Sequence, residues 1–183
     1  MARHFIAIDL PAEILSALAR IQPRPVAGLR LTPSSQMHLT LHFIGESDVE
    51  QLGLALAPVH EQPLTLEVRG VGRFPPRGRP SVLWAGIAPQ PALTHLHAAI
   101  GEALRAAGFP TESRPFAPHI TLARCTPQAS PGAIDHFLQQ NDSLSLPPFA
   151  VDEFRLYSST MTTGGPVYRC EQSFPLTKST PDL

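Results

Sequence analysis

This 183-residue sequence predicts an α+β fold of two pseudo-symmetric lobes. Each lobe is an antiparallel sheet with helices on its outer face, and a V-shaped cleft lies between them. Two observations predict it. The tetrapeptide His38-Leu39-Thr40-Leu41 recurs as His119-Ile120-Thr121-Leu122, 81 residues later. Around the two copies the elements follow in one order: strand, helix, HxTx strand, short helix, strand. A pseudo-twofold arrangement of those halves brings the HxTx strands face to face across a cleft. Side chains alternate along a strand, so His38 and Thr40 share one face and Leu39 and Leu41 the other. His119 and Thr121 are divided from Ile120 and Leu122 in the same way.

The elements follow from local pattern. Residues 3–8 (Arg-His-Phe-Ile-Ala-Ile) form a compact apolar strand ending at Asp9-Leu10-Pro11. Pro11 suits the first turn of a helix, where a missing N–H is no loss, and Ile14, Leu15 and Leu18 give that helix its apolar stripe. It stops before Pro23 and Pro25, and residues 22–36 read as a loop leading into the first HxTx strand over 37–44. Ser47-Asp48-Val49-Glu50 is a capping-box pattern, which predicts a short helix near 48–59. Alternation over 64–71 predicts a strand, and Gly70 to Pro80 a loop. A strand around Trp84 (81–87) comes next. Leu93, Leu96, Ile100 and Leu104 recur at helical spacing and Gly108 suits the C′ position, so 91–107 is a helix. After the second HxTx strand, Ser130-Pro131 opens a shorter helix through Leu138. Strands near 148–158 and 166–174, joined at Gly164-Gly165, close a single domain over 1–176, and a mobile tail is expected over 177–183.

Composition narrows the function classes. Hydrophobic residues at 43% and charged residues at 16% fit a globular chain with a proper core. No apolar run approaches the roughly 18 residues of a membrane helix, since Asp9 already breaks the first apolar stretch. Neither a signal peptide nor metal or redox spacing of Cys125 and Cys170 is visible, so reduced thiols in a cytoplasmic protein are expected. A formal charge of −1 excludes a body that holds nucleic acid through bulk electrostatics. The distribution matters more: Arg69, Arg73, Arg77 and Arg79 fall within eleven residues.

Several stretches together carry a family resemblance. They are Phe5 to Pro11 (FIAIDLP), His38 to Glu46 (HLTLHFIGE), Val82 to Gly86 (VLWAG) and Leu96-His97. Arg114 to Arg124 (RPFAPHITLAR) and the closing Tyr168 to Leu176 strand complete the set, in the family's order over nearly the full chain. The chain resembles the two-histidine (2H) phosphoesterases, and within them the bacterial and archaeal RNA 2′,3′-cyclic phosphodiesterases of the ThpR/LigT group. Leu29-Arg30-Leu31 departs from the pattern, since family members often carry a Trp in this segment. That departure is expected to alter packing or base stacking more than acid–base chemistry.

Two imidazoles on one cleft equip a protein for general acid–base catalysis near neutral pH. Opening a 2′,3′-cyclic phosphate needs one group to take a proton from water and another to protonate the departing ribose oxygen. The resemblance implies His38 as proton donor and His119 as acceptor, in exchanged roles for the reverse 2′-5′ joining of RNA. Thr40 and Thr121 can donate to the non-bridging phosphate oxygens. The mechanism calls for no metal and no cofactor. The implied partner is an RNA end carrying the cyclic phosphate, such as a tRNA fragment, met by a monomer.

Other residues are further candidates for substrate contact. Parity places His42 on the His38 side, at the cleft rim, and Phe43 with Leu39 in the core. Parity also sends Arg124 away from the cleft unless the strand bends or ends before it. Arg114 either positions substrate or braces its Pro-rich loop. Arg73, Arg77 and Arg79 either meet RNA phosphates or decorate a solvated loop. Three rival readings stay open: the same chemistry on another cyclic phosphate or a 2′-5′ linkage, a nucleotide- or RNA-binding module without turnover, and a metallohydrolase using His38, His42 and His119.

Overall fold

The computed structural model describes residues 2–178. Its ten strands and four α-helices build one eight-stranded antiparallel sheet, a separate two-stranded sheet, and a helical layer that shares the core. In the first half, β1 (Arg3–Ile8) pairs with β3 (Leu39–Glu46) on one side and β9 (Glu153–Thr162) on the other; β10 (Gly165–Pro175) closes the edge. The second half holds β5 (Val68–Phe74), β6 (Val82–Ile87) and β7 (His119–Cys125), with β2 (Leu29–Leu31) also on β7. The path through the sheet runs β10-β9-β1-β3-β7-β6-β5. Each half therefore supplies one HxTx strand to the middle of the sheet. The terminal hairpin is no appendage, because β9 completes the first half by pairing with β1.

The helices follow the apolar stripes. In α1 (Ala12–Ile21) Ile14 and Leu18 are buried, and Pro11 stands at the N-cap, one residue before the expected first turn. Helix α2 (Val49–Leu56) is capped by Asp48, whose side chain accepts from the Gln51 N–H. The expected cap, Ser47, instead donates to the Gly45 carbonyl and contacts His4 Nδ1. Helix α3 (Pro91–Ala106) buries Leu93, Leu96, Ile100 and Leu104, and Gly108 follows it at φ +83°, the left-handed geometry that ends helices. Helix α4 (Pro131–Gln140) is capped by Ser130 and buries Ile134 and Phe137.

Four expectations change. The stretch 64–71 is two strands in two sheets: β4 (Leu64–Leu66) pairs with β8 (Phe149–Val151), and β5 pairs with β6. Alternation stays unbroken across the switch, with Leu64, Leu66 and Val68 all buried, so the local pattern carries no sign of it. The predicted arginine loop is shorter, because Val71 to Phe74 pair with β6 and the loop is 75–80. Within the expected 22–36 loop, Leu29 to Leu31 pair with Cys125 to Ala123. At the C-terminus, Leu176 is buried and the Thr177 N–H donates to the Glu61 carbonyl, so ordered chain passes the expected end at 176; residues 179–183 lie outside the described residues.

Candidate active site

The two HxTx strands meet at one backbone pair, Leu39 with Ile120, both fully buried. Stepping one residue each way from an antiparallel pair sets His38 beside Thr121 and Thr40 beside His119. The repeat is thereby arranged about a local twofold at Leu39–Ile120. Two aliphatic side chains anchor it below, and two imidazoles and two hydroxyls stand above.

Both strands then break their alternation at the same place. Against β1, Ile6 pairs with His42 and Ala7 with Thr40, which leaves Leu41 as an extra residue. Against β6, Leu83 pairs with Ala123 and Trp84 with Thr121, which leaves Leu122 as the extra residue. These are β-bulges at equivalent positions, the fourth residue of each tetrapeptide, and a bulge reverses the parity of everything after it. Leu41 and His42 are accordingly both buried, as are Leu122 and Ala123.

The bulges correct three placements made by simple parity. His42 leaves the cleft: it is 6% exposed, and its Nε2–H donates to the His97 carbonyl of α3 at 2.9 Å on the far side of the sheet. Phe43 joins the cleft, 56% exposed, with its ring centroid 6.2 Å from that of Phe5. Arg124 pairs with Val82, which shares the Trp84 face of β6, so it points to the cleft side. Its positive charge is felt by Tyr168 of the opposite half, opposing the upward push that burial gives that phenol.

Each imidazole is pinned in one orientation. His38 Nδ1 donates to the Gln36 carbonyl at 2.7 Å, and His119 Nδ1 donates to the Ala117 carbonyl at 2.8 Å. A carbonyl only accepts, so both rings carry their proton on Nδ1 when neutral and leave Nε2 as the free base. Aromatic walls hold the rings. Phe5 stacks on His38 at 4.9 Å and Tyr168 meets it edge-on at 5.5 Å; Phe74 meets His119 edge-on at 4.8 Å, with Trp84 at 6.4 Å. Burial pushes the His38 pKa below the ordinary 6.5, against the Gln36 hydrogen bond and the Asp9 charge, and the His119 charge lowers it further.

A cavity of about 160 Å³ opens beside His38, lined among others by Asp9, Ser34, Ser35, Tyr157 and Tyr168. Asp9 accepts from Tyr157 Oη at 2.6 Å and from Arg155 at 2.7 Å, so its charge is compensated within the wall.

A family model described as the 2′-5′ RNA ligase superfamily matches residues 10–162. The chain belongs to that superfamily. An RNA 2′,3′-cyclic phosphodiesterase of Thermus thermophilus is 35% identical over 95% of this chain and 90% of its own length. One from Methanocaldococcus jannaschii is 30% identical over 91% of this chain and 96% of its own. The crystal structure of Escherichia coli LigT complexed with 3′-AMP superposes with a TM-score of 0.77 at 29% identity, covering 97% of this chain and 99% of that one.

In this member of the 2′-5′ RNA ligase superfamily the remaining arginines do different work. Arg73 donates to the Pro75 and Gly78 carbonyls at 3.3 and 2.5 Å, which commits its guanidinium to folding the 75–80 loop. Arg77 and Arg79 stand exposed on that loop. Arg114 pairs with Glu112 of its own loop at 3.6 Å. Among the described residues no group of three or more His, Cys, Asp or Glu side chains could hold a metal ion, and His42 lies on the other face from His38 and His119. No described helix is long and apolar enough to cross a membrane. Sequence reasoning missed Phe5, Asp9, Tyr157 and Tyr168 as site walls. Alternation along β9 and β10 was the available signal for the tyrosines, but the sequence does not show which face of that hairpin meets His38.

Proposed function

We propose that this protein hydrolyses the 2′,3′-cyclic phosphate at an RNA end to the 2′-phosphomonoester, by acid–base catalysis between His119 and His38. One observation carries the reading: two imidazoles on twofold-related strands, each with Nδ1 committed to a carbonyl and Nε2 free. The relatives named as RNA 2′,3′-cyclic phosphodiesterases supply the substrate class.

In the forward step His119 Nε2 takes a proton from water while the water oxygen bonds to phosphorus. The bond from phosphorus to the 3′ oxygen breaks, and the proton on His38 Nε2 passes to that oxygen. The cycle ends with His119 charged and His38 neutral, and exchange with solvent restores both. Thr40 and Thr121 donate their hydroxyls to the non-bridging oxygens, where charge gathers as the fifth bond forms. Burial disfavours the charged form of His38 that this step needs. An anionic phosphate beside the ring raises its pKa again, so binding prepares the acid. Joining is the same step with the 5′-hydroxyl of a second RNA in place of water. His119 takes its proton, the bond from phosphorus to the 3′ oxygen breaks, and His38 protonates that oxygen. The proton roles exchange only when a 2′-5′ linkage is cleaved back to the cyclic phosphate.

The test is to incubate the protein with an RNA ending in a 2′,3′-cyclic phosphate, with and without chelator, and to identify the product. A 2′-monoester formed equally in both is expected. A 3′-monoester, or loss of activity with chelator, would reject the mechanism, and tight binding without turnover would favour a binding module.

A further inference from the structure

On the sheet face opposite the cleft, three flat rings cross from one half of the protein to the other. The His42 ring of β3 lies on that of His97 in α3, with centroids 4.1 Å apart and planes 10° from parallel. His97 lies in turn on Phe116, at 3.9 Å and 8°. His42 is also tied to the helix backbone, through its Nε2–H to the His97 carbonyl at 2.9 Å. Gly101, one turn further along α3, makes room: a Cβ there would stand 3.3 Å from His42 Cε1.

What lies at the two ends of the stack gives it meaning. His42 is two residues beyond Thr40, on the strand that carries the first tetrapeptide. Phe116 is three residues before His119 and adjoins Ala117, whose carbonyl fixes the His119 ring. Between β3 and β7 themselves the only backbone register pair is Leu39 with Ile120. One pair is a pivot, and it leaves the angle between two strands free. The stack joins the same two segments away from that pivot, so it restrains the angle.

We infer that the His42–His97–Phe116 stack is a positioning device that sets how the two HxTx strands approach one another, with His97 as its central positioning residue. This rests on the two-histidine reading of the cleft. The stack suits the task because its rings meet uncharged. Burial lowers the pKa of both histidines, that of His97 to about 4, and the neighbouring Arg105 charge adds to this, while Glu112 acts the other way on His42. An aliphatic side chain would fill the same space, yet it lacks a flat face to hold the Phe116 loop at a fixed distance.

The test uses the whole protein, a 2′,3′-cyclic mononucleotide, and temperatures well below each variant's unfolding midpoint. His97→Ala removes the middle ring and keeps the backbone carbonyl. A kcat about tenfold lower with KM within about twofold is expected, since a small misplacement of the reacting groups affects the chemical step more than binding. His97→Phe rebuilds the stack and is expected to recover most of the lost kcat. His97→Leu, which keeps the volume, serves as the unstacked variant if Ala does not fold. A folded Ala or Leu variant with wild-type kcat overturns the inference, as does a Phe variant no better than Leu. A second readout is independent of turnover: in ¹³C-histidine NMR, His97→Leu is expected to shift the ring signals of His38 and His119, and His97→Phe to restore them. Unmoved signals overturn the inference. A wild-type protein inactive on every cyclic phosphate would sink the two-histidine reading, while the NMR comparison would still decide the role of the stack.

Discussion

Leu39 and Ile120 form the only backbone pair between the two HxTx strands, and both are fully buried. That pair makes the site symmetric, because it sets each histidine beside the other strand's threonine. On the proposed mechanism, replacing either histidine should therefore cost a similar amount. His38→Ala and His119→Ala are each expected to lower kcat by roughly 10²-fold or more, since each removes one proton-transfer partner. Thr40→Val and Thr121→Val should each cost roughly 10-fold to 10²-fold, through the lost phosphate hydrogen bond. Steady-state kinetics on a cyclic nucleotide checks this, and near-normal turnover by either histidine variant would defeat the mechanism.

The His38 ring should titrate below 6.5 in the free protein, because burial disfavours its cation. Adding inorganic phosphate should move that midpoint upward. The kcat/KM profile reports the free protein and kcat the complex, so the His38 limb should lie at higher pH in kcat than in kcat/KM. NMR of the His38 Cε1–H signal checks the first statement directly, and a midpoint at or above 6.5 without phosphate would contradict it.

Arg124 and Arg73 should part company. Arg124 faces the cleft beyond the bulge at Leu122, whereas Arg73 is bonded to the 75–80 loop. Arg124→Ala is expected to raise KM for a cyclic phosphate about tenfold and to weaken its salt dependence, since a guanidinium–phosphate bond is charge-assisted. Arg73→Ala is expected to leave that salt dependence unchanged while exposing the 75–80 loop to protease. Equal effects of the two substitutions on KM and salt dependence would contradict the distinction.

Acid should destabilise the protein through the histidines whose charged form the fold disfavours. The His97 pKa falls from 6.5 to about 4 on folding, so between those values the unfolded chain binds more protons than the folded one. Stability from this group is complete above about pH 6.5 and is lost as the pH falls toward 4. His97→Phe has no proton to gain. Its Tm should decline less between pH 7 and 4.5 than that of the wild type, and parallel declines would count against a neutral His97 in the fold.

Much of the fold was legible because it rests on local pattern. The spacing of Leu93, Leu96, Ile100 and Leu104 can hide only as a helix, and the Pro and Gly residues around it mark where it stops. The two tetrapeptides were legible as a pair because the same residue types recur in matching surroundings. The switch of sheet after Leu66 was not, because alternation is the same whichever strand lies alongside. Nor was β2, since three residues of edge strand gain their hydrogen bonds only from Cys125 to Ala123.

By itself the sequence determined which residues carry protons and hydroxyls, and that they come as two HxTx strands: periodicity and residue type are properties of the chain alone. The tertiary structure decided which way the following side chains turn. A bulge forms when one strand has a residue more than its partner can pair, so Leu41 and Leu122 became bulges only against β1 and β6. Those two extra residues turned His42 toward α3 and brought Phe43 and Arg124 round to the cleft.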